Sequence, residues 1–377
     1  MNKLLIFEIG IKIGGHHVEY LHHLYKRAIQ NSDKEYIFVV PDRFLQVKED
    51  FDWPDSKNVF FDYIPDETIS RIDKKGLVGH FFLKPKLLRK YINKHHVSDV
   101  LLLSLMNYMP LLPFFLPKGV QCSGIIYIIY MYLWQTSSLL KRLSNVTLYS
   151  LFSKLNCFKN VFILNDSSSS AYLNRRYKTT KFVYLPDPIP LCSWNEINIR
   201  EKYNIPKDAV VFLQCGKLSS RKHCIEILKA ADFINTDNIY FIFGGKISSD
   251  IEHKFFEIAD NMPPKKNVII INEFLGYDMM YSLLKSCNYV FTLYSQTALS
   301  SGVIGYAAYF GKPVIAMDNG LIGKLVKRYH IGYVTRTVDP QILAGRLEVI
   351  ANDKMKVQSN YVKTHTEVLF SDTLIGS

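Results

Sequence analysis

The sequence predicts an α/β protein made of two doubly wound domains, and three observations carry that reading. The chain has 377 residues, more than one ordinary core accommodates and close to two domains of common size. Short apolar runs alternate with helical patterns along most of its length, as parallel sheets with helical crossovers require. The alternation stops once, at Leu185 to Pro190 (LPDPIP), where three prolines fix φ and remove donors. The expected division is a first domain over 1–188, a linker over 189–207, a second domain over 208–352, and a segment over 353–377 that packs back on the first domain.

In the first half, strands are expected at Lys3 to Ile9, Tyr36 to Val40, Val59 to Tyr63, Asp99 to Leu105, Gly124 to Tyr130 and Val161 to Asn165. Gly14-Gly15 opens a helix with Val18, Leu21 and Leu24 on one face, and Ser137 to Cys157 reads as a long helix. The uncharged stretch Val100 to Pro117 is broken by three prolines, and Gly124 to Trp134 is short and rich in Ile and Tyr. Both therefore read as buried strands and their flanks, not membrane spans. In the second half, strands are expected at Ala209 to Cys215, Ile239 to Phe243, Val268 to Ile271, Tyr289 to Leu293 and Pro313 to Met317. Helices are expected between them at Lys222 to Phe233, Ser249 to Asn261, Tyr277 to Ser286 and Gly302 to Phe310. Open sheets of this kind bind ligands at the carboxyl ends of their strands, so a cleft between two such domains is the expected site.

Apolar residues at 48% and charged residues at 21% exclude a disordered or fibrous chain. The net charge of +12 favours nucleic acid, acidic membrane or phosphorylated ligands. No zinc, helix-turn-helix or aromatic-basic module supports the first of these. The six cysteines are scattered without a CxxC pair and read as reduced and cytosolic. Glu8 interrupts the amino-terminal apolar run, which reads as a strand and not a leader peptide.

The chemistry-bearing residues cluster in the second half. Lys217 and Lys222 follow a strand end marked by Gly216, and Ser300-Ser301-Gly302 opens a helix. Such a pattern suits a phosphorylated ligand, and breaking a bond to a phosphate requires positive charge where the leaving group develops its own negative charge. The lysines supply that charge without a metal, and free backbone N–H groups at a helix start bind phosphate oxygens. Two solvated lysines at a strand end are the ordinary alternative.

Cys215-Gly216-Lys217-Leu218 with Arg221-Lys222, then Ser300-Ser301-Gly302 and Gly311-Lys312-Pro313-Val314-Ile315, resembles the GT-B nucleotide-sugar glycosyltransferases. The likeness is to the retaining branch of bacterial polysaccharide synthesis, and it is best over Val210 to Asn352. Gly14-Gly15 resembles the family's amino-terminal glycine pair. The resemblance implies two Rossmann-like domains, donor-binding roles for Gly15, Gly216, Ser300, Ser301, Gly302 and Tyr306, and a base-binding segment at Asn272, Glu273 and Phe274. Its retaining members carry two glutamates eight positions apart, and the matching positions here are Ala298 and Tyr306. Gln296 and Thr297 are polar neighbours, and Tyr306 offers a ring and a hydroxyl.

On the acceptor side, His16, His17 and Glu19 follow the first turn, and Asn107 with Tyr108 ends another strand. His17 suits acid–base work because imidazole titrates near neutrality; a polar helix start without chemistry is the alternative. Lys217, Lys222 and His17 are thus the catalytic candidates, with no metal and no cofactor beyond the nucleotide-diphosphate sugar. The expected activity is sugar transfer to a lipid-linked or polysaccharide acceptor in bacterial surface glycan synthesis. An inactive nucleotide-sugar-binding relative and a nucleotide-sugar 2-epimerase remain alternatives. Lys86, Arg89, Lys90 and Lys94 share one helical face behind Phe81-Phe82, so an anionic membrane surface is an expected partner and the inner face of the plasma membrane an expected location. A solvated basic face is the alternative.

Overall fold

The computed structural model describes residues 2–11, 16–133, 138–189, 193–263, 267–295, 298–353, 355–357 and 360–376. The chain divides into two units, residues 1–187 with 366–377, and residues 188–365. Each is built on its own parallel sheet.

The first unit holds seven strands: β1 (Asn2–Phe7), β2 (Lys34–Pro41), β3 (Val59–Ile64), β4 (Asp99–Leu102), β5 (Gln121–Ile126), β6 (Phe158–Leu164) and β7 (Phe182–Leu185). Their order is β3-β2-β1-β4-β5-β6-β7. Leu5, Ile6 and Phe7 of β1 are all buried, which is why the central strands read as unbroken apolar runs: helices cover both faces and leave no polar side. The helix Glu367–Ile375 at the end of the chain belongs to this unit. It packs on the helix His16–Ala28, with Phe370 against Tyr20 at 4.6 Å and Lys26 paired to Glu367 at 2.8 Å.

The second unit holds β8 (Val210–Cys215), β9 (Ile239–Gly244), β10 (Val268–Ile271), β11 (Tyr289–Thr292), β12 (Val314–Met317) and β13 (Gly332–Thr335), in the order β10-β9-β8-β11-β12-β13. Phe212 centres its core, stacked on Phe241, Tyr289 and Phe291 at 5.5, 5.0 and 5.7 Å.

Several boundaries differ from the sequence reading. β5 starts at Gln121 and stops at Ile126, not at Gly124 and Tyr130, because polar Gln121 and Ser123 mask its first turn of the pleat. A side chain at Gly124 would press on Leu102 and Leu105, so the glycine lets β5 lie close to its neighbours. Asp99 to Leu105 is a strand only to Leu102; a 3-10 turn over Leu105–Tyr108 follows. The edge strands β7 and β13 lie outside the expected set, being four residues each with little periodicity to read. Among the described residues, no helix is long and apolar enough to cross a membrane.

In both sheets the winding reverses once, between β1 and β4 and between β8 and β11. Those reversals open a crevice at the carboxyl ends of the flanking strands. The chemistry-bearing residues sit there.

Candidate functional site

At the second reversal β8 ends at Cys215, and Gly216 turns the chain with φ +79°. That left-handed conformation favours glycine. A second constraint acts at Gly245, φ +135°, where an added side chain would collide with the Gly216 carbonyl. The two glycines therefore let the ends of β8 and β9 approach closely.

The turn then delivers two lysines to different environments. Lys217 is exposed. Lys222 is buried, at 5% exposure, and its Nζ donates to the Cys215 carbonyl at 2.6 Å. Gln214 Nε2 donates to the Lys222 carbonyl at 2.6 Å and fixes the backbone beneath it. The Tyr294 ring, just past β11, lies 5.5 Å from Lys222 Nζ and 4.8 Å from the Arg221 guanidinium. Tyr294 is buried, so these cation–π contacts act where water screens them little. Among the described residues Lys222 has no carboxylate partner, and a buried ammonium without one is costly to maintain.

Ser301 joins the same group, its Oγ donating to the Tyr294 hydroxyl at 3.3 Å. It occupies the cap position of the helix Gly302–Tyr309 but makes no side-chain cap bond. The first backbone N–H groups of that helix thus keep their capacity for an anion, beside the helix dipole's positive end. Around one reversal, then, lie a buried ammonium, a guanidinium and an uncapped helix start.

The first reversal carries different chemistry. Glu8, one residue past β1, is buried at 1% exposure. Its Oε1 accepts from the Gly10 N–H. Its Oε2 accepts from Ser104 Oγ, beyond β4, at 3.0 Å and lies 3.3 Å from His17 Nδ1. The His17 ring is stacked on Tyr127 at 5.7 Å, and its side chain keeps 24% exposure. Burial raises the Tyr127 and Tyr20 hydroxyls well above their ordinary pKa, with the Asp187 carboxylate adding to the rise for Tyr20. Both stay protonated donors at neutral pH.

Residues 195–367 match the family model of glycosyl transferases group 1. Over 100% of this chain and 99% of its own, the structure of HepE from Anabaena in complex with UDP and glucose superposes with a TM-score of 0.71 at 16% identity. A glycosyltransferase from Rickettsia africae covers 99% and 96%, with a TM-score of 0.69 at 14% identity. WaaG, a glycosyltransferase involved in lipopolysaccharide biosynthesis, covers 100% of both chains, with a TM-score of 0.63 at 15% identity. The chain has the GT-B fold. No curated protein matches its sequence significantly.

The structure sorts the sequence candidates. Lys222, Ser301 and Gly302 come together with Arg221 and Tyr294, and Gly216 forms the turn that holds them. Lys217 and Ser300 border the group; Ser300 is half-buried. At the end of β10 the Asn272 side chain accepts from the Ile247 N–H at 2.8 Å, which commits it to the scaffold, while Glu273 and Phe274 are exposed. Tyr306 does not offer a free ring. It is buried beside Tyr281, whose ring also meets Phe310, because its helix turns that side inward. Ala298 is buried too, so neither position matched to the family's glutamates presents a carboxylate.

His17 lies in the first-unit group, but Glu19 and Tyr108 belong to the core at 4% and 1% exposure. Glu19 follows the inward face of its helix, and Tyr108 packs edge-on against Phe7 at 6.1 Å. They are corrected from acceptor contacts to packing residues. Asn107 lies in the 3-10 turn after β4, half-buried. Gly14, Gly15, Gln296 and Thr297 lie outside the described residues, as does the His16 side chain.

Glu8 and Tyr294 are the residues that sequence reasoning missed. Glu8 left one signal, a lone carboxylate at the end of an apolar strand, where burial demands partners. Tyr294 left none, since a tyrosine after a strand is unremarkable until its neighbours are known.

Proposed function

We propose that this protein is a glycosyltransferase that moves a sugar from a nucleoside-diphosphate donor to a lipid-linked or polysaccharide acceptor of bacterial surface glycan synthesis, on the cytoplasmic side. The observation that carries the reading is the buried Lys222 ammonium, which has a carbonyl acceptor but no carboxylate among the described residues. A diphosphate supplies the missing negative charge. Arg221 and the N–H groups at the start of Gly302–Tyr309 complete a cradle of the kind that phosphate oxygens occupy. As the bond between sugar and diphosphate breaks, the leaving oxygen gains charge that these groups already face. That HepE is seen with UDP and with UDP-glucose supports UDP-sugars as the first donors to try.

On the acceptor side, His17 is the acid–base group and Glu8 its positioning residue. Contact with Glu8 through Nδ1 leaves Nε2 to exchange a proton with an acceptor hydroxyl.

A thermal-shift panel of nucleotide-sugars tests the donor assignment, because a ligand that binds only the folded chain raises its melting temperature. One nucleotide-sugar should stabilise the wild type, and Lys222→Met should abolish that shift while Lys217→Ala retains most of it. Lys222→Arg, which keeps the charge, guards against a folding defect in the methionine variant. Equal shifts in wild type and Lys222→Met overturn the assignment.

A further inference from the structure

The donor reading makes no use of a cavity at the other end of the second unit's sheet. Its volume is about 370 Å³, at the small end of the range for ligand pockets, roughly 300 to 1,000 Å³. It lies beside the amino ends of β8, β11 and β12, where Lys207, Asn288 and Lys312 line it. The group around Lys222 lies past the carboxyl end of β8. The strand alone separates the two by roughly 16 Å, so one small molecule does not reach both.

The remaining wall is the segment leading to the short helix Ile199–Lys202, laid against the helix Tyr277–Ser286. The Asn195 N–H donates to Asp278 and the Ile197 N–H to Ser282 Oγ, both at 2.8 Å. These bonds hold the segment in place and set Arg200 beside β8. The Arg200 guanidinium donates to the carbonyls of Pro206, Ala209 and Ser286 at 2.6, 3.1 and 3.2 Å. Its position is thereby fixed, and carbonyls leave its charge uncompensated.

Four cationic side chains line the cavity, Arg200, Lys207, Lys285 and Lys312, against one carboxylate, Glu196. Glu196 is already paired with Lys285. Among the described residues Arg200, Lys207 and Lys312 have no carboxylate partner, and the ammonium groups of Lys207 and Lys312 make no hydrogen bond. Burial holds Lys312 below its ordinary pKa, and the nearby Arg200 charge acts in the same sense. Cys287, also in the lining, brings no countercharge, since burial pushes its thiol up to about 12.

We propose that this cavity binds a phosphate-bearing small molecule without a nucleobase, with Lys207 and Lys312 donating to phosphate oxygens and Arg200 supplying fixed positive charge. The charge balance selects the class. Three uncompensated cations call for an anion carrying more than one charge, which a phosphate provides and a single carboxylate does not. Among the described residues no aromatic ring lines the cavity, so a base finds no surface to stack on. Asn198, Ser286 and Asn288 offer polar atoms to a small hydrophilic remainder such as a sugar.

Calorimetric titration of Lys222→Met with pyrophosphate, at constant chloride, tests this apart from the group around Lys222. No nucleotide-sugar is present, so the result is independent of the transfer reading. One pyrophosphate should bind per chain, and raising the salt should weaken it. Adding Lys312→Met or Lys207→Met should lower the affinity by about tenfold or more, while Lys312→Arg should retain it. Lys207 is exposed, so its substitution leaves the fold intact if Lys312→Met does not. In the wild-type chain the same substitutions should remove the binding event that Lys222→Met retains, and the stabilisation by a nucleotide-sugar should persist. Inorganic phosphate and glucose 1-phosphate titrated in parallel identify the form the site takes, by which binds more tightly. Absence of binding to Lys222→Met when the wild type binds, or equal affinity in the Lys207→Met and Lys312→Met variants, overturns the proposal. So does uridine diphosphate binding Lys222→Met far more tightly than pyrophosphate, since the site then reads a base.

Discussion

His17 Nδ1 lies 3.3 Å from the Oε2 of Glu8, a carboxylate with 1% exposure that also accepts from Gly10 and from Ser104 across the β1–β4 reversal. The carboxylate fixes which imidazole nitrogen faces inward, and so which one faces outward. Glu8→Gln preserves shape but removes the charge. It should lower kcat by roughly ten- to a hundredfold, the scale for a partner that orients a functional histidine, with the donor KM nearly unchanged. Glu8→Ala should also cost about 1 to 3 kcal/mol of stability, because buried donors lose their acceptor. Steady-state kinetics and denaturant melts separate the two effects, and wild-type kcat in Glu8→Gln would remove His17 and Glu8 from the mechanism.

Gly245→Ala should destabilise the second unit by about 3 kcal/mol or more. Both its φ of +135° and the nearby Gly216 carbonyl oppose a side chain, and backbone strain combined with a clash falls in the severe class of substitutions. Gly345→Ala, in the helix Pro340–Ala351 with open space around it, should be neutral or stabilising by up to about 1 kcal/mol. Thermal melts of the two variants should therefore move in opposite directions or diverge widely.

Stability should fall as the pH drops from about 6.5 to about 4. Burial lowers His22 and His365 from 6.5 to about 4, so in that window the unfolded chain binds protons that the folded chain refuses. Glu367 is shifted in the same direction, by a different cause and in a lower window. Hydrogen bonding from His23, aided by Lys26, lowers it from 4.5 to about 2, so its contribution persists above 4.5 and is lost only as the pH falls toward 2. Melting temperatures across this range should show a first decline below 6.5 and a second below 4.5. His22→Gln should flatten the first; a profile unchanged by that substitution would show that His22 contributes nothing to it.

Transfer should survive chelation. In the proposed donor site, Lys222, Arg221 and the helix start at Gly302 supply the positive charge, which is the role a divalent ion otherwise takes. Activity measured after EDTA treatment should match the untreated enzyme within about twofold. Abolition by EDTA with recovery on adding magnesium or manganese would show that the protein's own charges do not suffice.

What the sequence determined by itself was the architecture: two doubly wound sheets and the proline-rich change of register between them. Buried parallel strands such as β2 and β9 announce themselves as apolar runs, because burial on both faces leaves no room for polar alternation. The family likeness was legible for a related reason, since Gly216, Lys222 and Ser301-Gly302 keep fixed places relative to strand ends. Short edge strands such as β7 were hidden, for four residues carry almost no period.

Tertiary structure alone decided how the candidates divide. Lys217 and Lys222 are five positions apart and chemically identical, yet one is solvated while the other is buried under Tyr294, because the turn at Gly216 folds only the second back beneath the strand end. Tyr306 and Glu19 looked available until helix packing turned them inward. Glu8 and His17 are nine residues apart, with the intervening chain partly undescribed, and Ser104 reaches the same carboxylate from 96 residues away. That contact exists because β1 and β4 are neighbours in the sheet, and strand order follows from packing the whole domain, which local sequence does not encode.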